Sequence, residues 1–232
     1  MEVSLITGGN SGIGYEVVRQ LAERGMVVYL GCRDIEKGIA AAAQLSGAGE
    51  IRPLHLDLTD TASLRAAVEQ IGREQGRLDL LVNNAGIAPG DNAPETIDQV
   101  FQTNLHGPLL LAQLCVPLLR KSSAGRIVNV SSGAGRFSFL AGDYLQLDPE
   151  NLLYAYPVSK TALNAATVLL ARALRDEGIK VNACDPGMVA TRLSRMQGKS
   201  VAEGAAIVVQ VAISSSEAPG GQFLGANGPV TW

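Results

Sequence analysis

Short runs of apolar residues alternate along the chain with longer segments whose apolar positions recur at helical spacing, the pattern of repeated strand–helix–strand units. The strand-like runs are Val3–Thr7, Val27–Gly31, Arg52–Leu56, Asp79–Asn83, Arg126–Ser131, Lys180–Ala183 and a short Gln222–Leu224. The periodic segments between them predict helices over Ile13–Arg24, Ile35–Leu45, Thr61–Gln75, roughly Glu95–Arg120, Ala155–Glu177 and Val201–Ile213. Strands rich in Val, Ile and Leu suit a parallel sheet covered on both faces. Gly25, Gly76 and Gly178 each follow a charged helix end and precede the next strand, as helix stops do. The expected fold is α/β: a Rossmann-like, doubly wound parallel sheet of about seven strands in three α/β/α layers. One segment, Phe137 to Leu153, shows neither period, and its place between a strand and a helix suits a lid.

Length and composition agree with one domain over residues 1–232, since 47% hydrophobic and 18% charged residues furnish a core and argue against disorder. The net charge is −3 with scattered Lys and Arg, which offers nothing to nucleic acid or an anionic membrane. Three cysteines without a C-x-x-C and only two histidines, His55 and His106, argue against a disulfide framework, a metal site or a Ser-His-Asp triad. The chain opens directly in a strand pattern, leaving no room for a signal peptide, and Leu109–Leu119 is too short to span a bilayer. A cytoplasmic location is therefore expected.

Chemistry enters at the first strand–helix junction. Thr7-Gly8-Gly9-Asn10-Ser11-Gly12-Ile13-Gly14 places glycines at 8, 12 and 14, a G-x-x-x-G-x-G variant of the dinucleotide fingerprint. Glycine permits the tight turn and close backbone approach, and the helix start offers amides and a positive dipole end to a pyrophosphate. After the second strand, Arg33 could accept a 2′-phosphate, while Asp34 reads as the N-cap of the next helix. NADP(H) is thus favoured over NADH.

A second pattern, Tyr156-Pro157-Val158-Ser159-Lys160, sets a phenol and an ammonium at i and i+4 on one helical face. A nearby cation favours phenolate, and an oxidised nicotinamide would act in the same direction. The spacing alone also fits an ordinary surface Tyr and Lys.

Together these motifs resemble the short-chain dehydrogenase/reductase family along essentially the whole chain. The phosphate loop is joined by Asp57 in Leu56-Asp57-Leu58, by Asn83-Asn84-Ala85-Gly86 and by Asn104 in Thr103-Asn104-Leu105. Further along come Asn129-Val130-Ser131-Ser132, Tyr156 with Lys160, and Pro186-Gly187-Met188-Val189-Ala190-Thr191. The resemblance implies an oxidoreductase in which Ser132 bonds the substrate carbonyl oxygen and Tyr156 exchanges a proton with it. Lys160 would lower the Tyr156 pKa and hold the nicotinamide ribose, and Asn104 would anchor a water leading from Lys160 to solvent. Strand alternation lets only one of Ser131 and Ser132 face the cleft, and the family pattern picks Ser132. The implied cofactor contacts are Gly8, Asn10, Ser11, Gly12, Ile13, Gly14, Arg33, Asp57, Leu58, Asn83, Ala85, Gly86, Tyr156, Lys160, Pro186, Gly187, Val189 and Thr191. Among them Asn83 would bond backbone between central strands and line the adenosine side, and the Val189 backbone and Thr191 would fix the carboxamide.

Ser132 and Tyr156 lie 24 positions apart, wider than is usual in the family. An insertion here, together with Cys32-Arg33-Asp34, Gly221–Leu224 and the terminal Trp232, resembles the carbonyl-reductase branch. There the insertion covers a tetramerisation surface, so a monomer is expected, with a dimer as the second choice. Residues 133–154 are read as this insertion or lid, packing near the cleft or over the helix from Ala155, and 188–204 as a substrate-binding loop. Ser132, Ala134, Tyr144, Tyr156 and Met188 are the expected substrate contacts. Their apolar character suits hydrophobic ketones, aldehydes or quinones reduced with NADPH. That branch often carries a basic residue where this chain has Ser11, leaving Arg33 as the main nucleotide discriminator. Other readings are an alcohol dehydrogenase working oxidatively and a dinucleotide sensor without turnover. A nucleotide-sugar epimerase usually needs a larger segment than the 41 residues after Thr191.

Overall fold

A computed structural model describes residues 1–45, 47, 49–142, 152–215 and 218–232. Among these, eight strands form one sheet: β1 (Val3–Thr7), β2 (Val27–Cys32), β3 (Ile51–His55), β4 (Leu80–Asn83), β5 (Arg126–Val130), β6 (Lys180–Cys184), β7 (Phe223–Gly225) and β8 (Gly228–Pro229). Their order is β3-β2-β1-β4-β5-β6-β7-β8, parallel throughout except for the closing β7–β8 pair. The chain reverses its direction of growth between β1 and β4, the switch point at which doubly wound sheets open a crevice for ligands.

Helices α1 (Gly12–Glu23), α2 (Ile35–Gln44) and α8 (Val201–Ala212) cover one face. The longer α3 (Thr61–Gln75), α5 (Gly107–Leu119) and α7 (Ala155–Ala173) cover the other. Alternation within the buried strands divides the core accordingly. Leu5, Tyr29, Leu81 and Ile127 pack with Leu64, Ile71, Leu111 and Leu174, while Ile6, Leu30, Val82 and Val128 pack with Val17, Leu21 and Val208. Helix starts follow local chemistry: Asp34 accepts from the Lys37 amide, Asp60 from that of Ala62, and Ser200 with Glu203 forms a capping box. Gly25, Gly76 and Gly178 take φ of 82°, 73° and 71°, values in which L side chains are strained.

Two stretches carry detail that the expected elements did not. The single helix expected over 95–120 is α4 (Pro94–Phe101), a π-helical turn at Gln102–His106, then α5. Gly107 sits where a Cβ would lie 2.7 Å from Leu58 Cβ, so this helix can approach β3's exit loop only at a glycine. The stretch from Phe137 read as irregular opens with a short helix α6 (Phe137–Leu140), preceded by a 3-10 turn at Gly133–Gly135. Tyr144 and the rest of 143–151 lie outside the described residues. Of the apolar residues described around that stretch, Phe137, Leu152, Leu153 and Tyr154 are exposed, whereas Phe139 and Leu140 are half-buried. The three cysteines are free and buried, and no helix among the described residues is long and apolar enough to cross a membrane.

Candidate active site

The functional candidates emerge at one edge of the sheet, beyond the C-terminal ends of β1, β2, β4, β5 and β6. The Thr7 hydroxyl ties β1 to β4 by accepting from the amides of Asn84 (3.0 Å) and Ala85 (3.0 Å). The Asn84 side chain returns to the Thr7 carbonyl at 2.9 Å, while the Gly9 amide reaches back to Gly31. The phosphate loop is therefore held by three strands. Its glycines are sterically required: at Gly8 (φ 66°) a Cβ would lie 3.1 Å from Ala85 Cα, and at Gly12 (φ 55°) 3.3 Å from the Thr191 methyl. Ser11 begins α1 without a side-chain cap, so the helix's first amides keep no side-chain partner of their own.

A cavity of about 440 Å³ opens between this loop and the segment after β6. Gly8, Asn10, Ser11, Gly12 and Ile13 line one side, Ala190, Thr191, Arg192, Leu193, Met196 and Val201 the other, and Asn84, Ala85 and Gly86 the floor. The sequence does not single out Asn84 as a contact, and it places Arg192, within Arg192–Lys199, in the substrate pocket and not among the cofactor contacts. The second Asn of Asn83-Asn84-Ala85-Gly86 was a readable signal for Asn84. Asn83 itself is buried and turns inward, donating to the Asn129 side chain at 2.9 Å, so its side chain stands in the interior and not on this cavity's wall.

Gly86 joins the cavity to the reactive groups. A Cβ there would lie 3.4 Å from Lys160 Nζ and 3.3 Å from Asn104 Oδ1. Lys160 is buried, donates to the Val130 carbonyl at 2.9 Å and lies 5.8 Å from the centre of the Tyr156 ring. Burial draws its pKa down to about 8. The Tyr156 phenol is shifted upward, chiefly by burial and also by the Asp185 carboxylate, against a hydrogen bond with Ser132 that lowers it. The lowering expected from Lys160 is not among the causes of this shift, which burial dominates. Ser131, one residue from Ser132, points the opposite way and donates to Asn164 Oδ1 at 2.6 Å.

Asn104 sits fully buried at the centre of the π-turn. Its side chain accepts from the Ile87 amide (2.8 Å) and donates to the Ile87 carbonyl (2.9 Å) and to Ser159 Oγ (3.1 Å). The Ser159 hydroxyl donates to the Tyr156 carbonyl at 2.7 Å. Asn104 therefore pins the loop following Gly86 to the helix that carries Tyr156 and Lys160. A π-turn at a functional position is a recurrent arrangement.

At the far end, the Leu56 amide bonds to the Cys32 carbonyl, which brings Arg33 and Asp57 to adjacent strand exits. Arg33 is exposed, and the neighbouring Asp34 carboxylate is taken by Lys37 at 2.7 Å. Asp57 folds back on its own turn, accepting from the Thr59 amide at 2.9 Å, and Leu58 is buried. After β6, Asp185 accepts from the Gly187 amide at 2.8 Å and Pro186 is buried. Val189 forms a parallel bridge with Lys199, closing a turn in which Arg195 (φ 53°) and Met196 (φ 64°) adopt left-handed conformations. The Ser194 hydroxyl lies within reach of the carbonyls of Thr191 (3.1 Å) and Gln197 (2.9 Å), and the Met196 amide bonds to the Thr191 carbonyl at 2.7 Å. This local network holds the strained turn over the cleft. Ala134 donates its amide to Ser132 Oγ at 3.2 Å.

Apolar side chains are exposed in two segments that flank the candidate residues: Met188, Leu193 and Met196 after β6, and Leu152, Leu153, Tyr154 and Val158 around the start of α7. Arg195 approaches Gly90, and Asn92 donates to the Leu152 carbonyl, so the loop after β4 meets both segments.

The family model described as short chain dehydrogenase matches residues 2–202. A retinol dehydrogenase 12 of Bos taurus is 37% identical over 204 residues, 84% of this chain and 63% of its own length. The chain thus spans less than two thirds of that relative. A salutaridine reductase of Papaver bracteatum is 29% identical over 96% of this chain and 94% of its own. Among solved structures, NADPH-bound carbonyl reductase from chicken fatty liver superposes with a TM-score of 0.87 at 29% identity, covering 100% of both chains. Salutaridine reductase from Papaver somniferum gives 0.85 at 29% identity, covering 96% of this chain and 99% of that one. Motif order, sheet topology and these matches agree: the chain belongs to the short-chain dehydrogenase family.

Proposed function

We propose that this protein is an NADP(H)-dependent carbonyl reductase acting on hydrophobic ketones, aldehydes or quinones. The observation that carries the reading is the meeting of Ser132 and Tyr156, joined by a hydrogen bond, with Lys160, whose ammonium stands beside Gly86 at the floor of the cavity that the phosphate loop opens. The residues fit a dinucleotide. The loop glycines leave room that a Cβ would fill, the first amides of α1 have no side-chain cap, and Arg33 stands exposed at the strand exit where a 2′-phosphate would lie. The bound cofactor would supply or accept the hydride at the carbonyl carbon.

The chain's own groups then handle the oxygen. Ser132 donates a hydrogen bond to the carbonyl oxygen, favouring the negative charge that grows there. Tyr156 transfers its phenolic proton to that oxygen, giving the alcohol and a phenolate. The raised phenol pKa keeps the proton in place at neutral pH until it is needed, as a general acid requires. Lys160 steadies the phenolate and returns a proton to it; with a pKa near 8, it can exchange that proton close to neutrality. Asn104 fixes the helix turn carrying both groups, through Ser159. The exposed apolar side chains flanking these residues favour substrates with hydrophobic bodies. Alcohol oxidation by the same residues is the second reading, favoured by relatives named retinol dehydrogenases.

The test is NADPH oxidation followed at equal concentrations of aldehydes, α-diketones, quinones and bulky ketones, with alcohols and NADP+ in the reverse assay. Tyr156→Phe should reduce turnover by on the order of 1000-fold while NADPH still binds. Binding without turnover across both panels would replace this reading with a sensor.

A further inference from the structure

The cavity beside the phosphate loop has an unusual electrostatic make-up. Of the residues lining it, Arg192 alone carries a charge. Gly8 to Ile13, Asn84 to Gly86 and the remaining residues of the opposite wall are all neutral. Ser11 brings no cation to the loop, and a helix start supplies only about half a positive charge. A pyrophosphate brings two negative charges to this place, and charge taken from water needs a counter-charge or several hydrogen bonds.

We infer, resting on the dinucleotide reading above, that Arg192 is a cofactor-binding residue that clamps the pyrophosphate from the wall opposite the phosphate loop. Its placement is built in. Thr191 packs its methyl where a Cβ at Gly12 would be only 3.3 Å away, which brings the next residue alongside the loop. On its other side the Arg192 carbonyl accepts from the Arg195 amide at 3.2 Å, inside the turn held by Ser194. Arg192 is exposed, and it forms no ion pair with another described residue. The other cations are committed elsewhere. Lys160 is buried against Val130, Arg33 stands at the β2 exit, and Lys199 lies over Gly187, where a Cβ would meet its Nζ at 3.7 Å. A guanidinium can also grip two phosphate oxygens at once, which an ammonium cannot.

The experiment titrates wild type, Arg192→Ala and Arg192→Lys with three ligands: NADPH, ADP-ribose and 2′-AMP. ADP-ribose has the pyrophosphate, whereas 2′-AMP carries a 2′-phosphate and no pyrophosphate. Arg192→Ala should raise the Kd for NADPH and ADP-ribose by about tenfold. Arg192→Lys should show a smaller rise, and 2′-AMP binding should be unchanged in both variants. A change below twofold for NADPH and ADP-ribose would overturn the clamp. An equal loss of 2′-AMP would overturn it too, since the effect would then be general to the site. If wild type binds neither NADPH nor ADP-ribose, the dinucleotide reading itself fails and the clamp with it.

Discussion

The same substitution, glycine to alanine inside a helix, should have opposite effects at two places in this protein. In isolation the change favours a helix by up to about 1 kcal/mol. At Gly72 in α3 the added methyl meets only the Leu118 side chain, at 3.6 Å, an ordinary contact. Gly72→Ala should therefore stabilise by about 0.5–1 kcal/mol, raising Tm by about 1–4 °C for a chain of this size. At Gly14 in α1 the methyl would overlap the Gly8 carbonyl oxygen and lie 2.9 Å from its carbon, while pressing on Asn84 Nδ2. Neither neighbour can swing away. Gly8 belongs to a turn at φ 66°, and the Asn84 amide is bonded to the Thr7 carbonyl at 2.9 Å. Overpacking against backbone costs about 1–3 kcal/mol, and disturbing the Asn84 bond about 1 kcal/mol more, which exceeds the helical gain. Gly14→Ala should lower Tm by about 3–9 °C and weaken NADPH binding at least about tenfold, because the displaced atoms form the phosphate loop. Thermal unfolding of both variants beside a fluorescence titration with NADPH decides the matter. A Gly14→Ala protein that melts no lower than Gly72→Ala, or binds NADPH as wild type does, would refute the steric argument.

Two further outcomes follow from the charges. Arg33→Asp should reverse the NADPH/NADH preference, shifting the ratio of kcat/KM on the order of 100-fold; an unchanged ratio removes Arg33 from nucleotide selection. Lys160, with its pKa drawn down by burial to about 8, is mostly charged below that value in both states but neutral above it only when folded. The unfolded chain therefore binds more protons between about pH 8 and 10, so this residue makes stability rise with pH across that window. Relative to Lys160→Met, wild-type stability from urea unfolding should climb between pH 8 and 9.5, and parallel curves would contradict the buried-ammonium picture.

Much of the architecture was legible in order along the chain. Buried strands read as Val/Ile/Leu runs because both faces of a parallel sheet are covered, and Gly25, Gly76 and Gly178 marked helix ends because each takes a positive φ. The break between α4 and α5 was not legible. At its end Gly107 meets Leu58, a contact between residues nearly fifty positions apart that leaves no local period. Ser131 and Ser132 illustrate the same division, since alternation says that they face opposite ways but not which way. The packing of Ser131 against Asn164 of α7 decides it.

The amino-acid sequence by itself thus determined the type of fold and the place of the glycine-rich loop, and it nominated Ser132, Tyr156 and Lys160, because each depends on local backbone demands or on motifs of short span. Only the tertiary structure decided the rest. It turned Asn83 inward and Asn84 toward the loop, raised the Tyr156 pKa by burial, and brought Arg192 and Ser11 to the lining of one cavity. The physical reason is common to these cases. Burial and opposing charge are properties of which distant segments meet, and a linear pattern records what each segment can do but not what it will face.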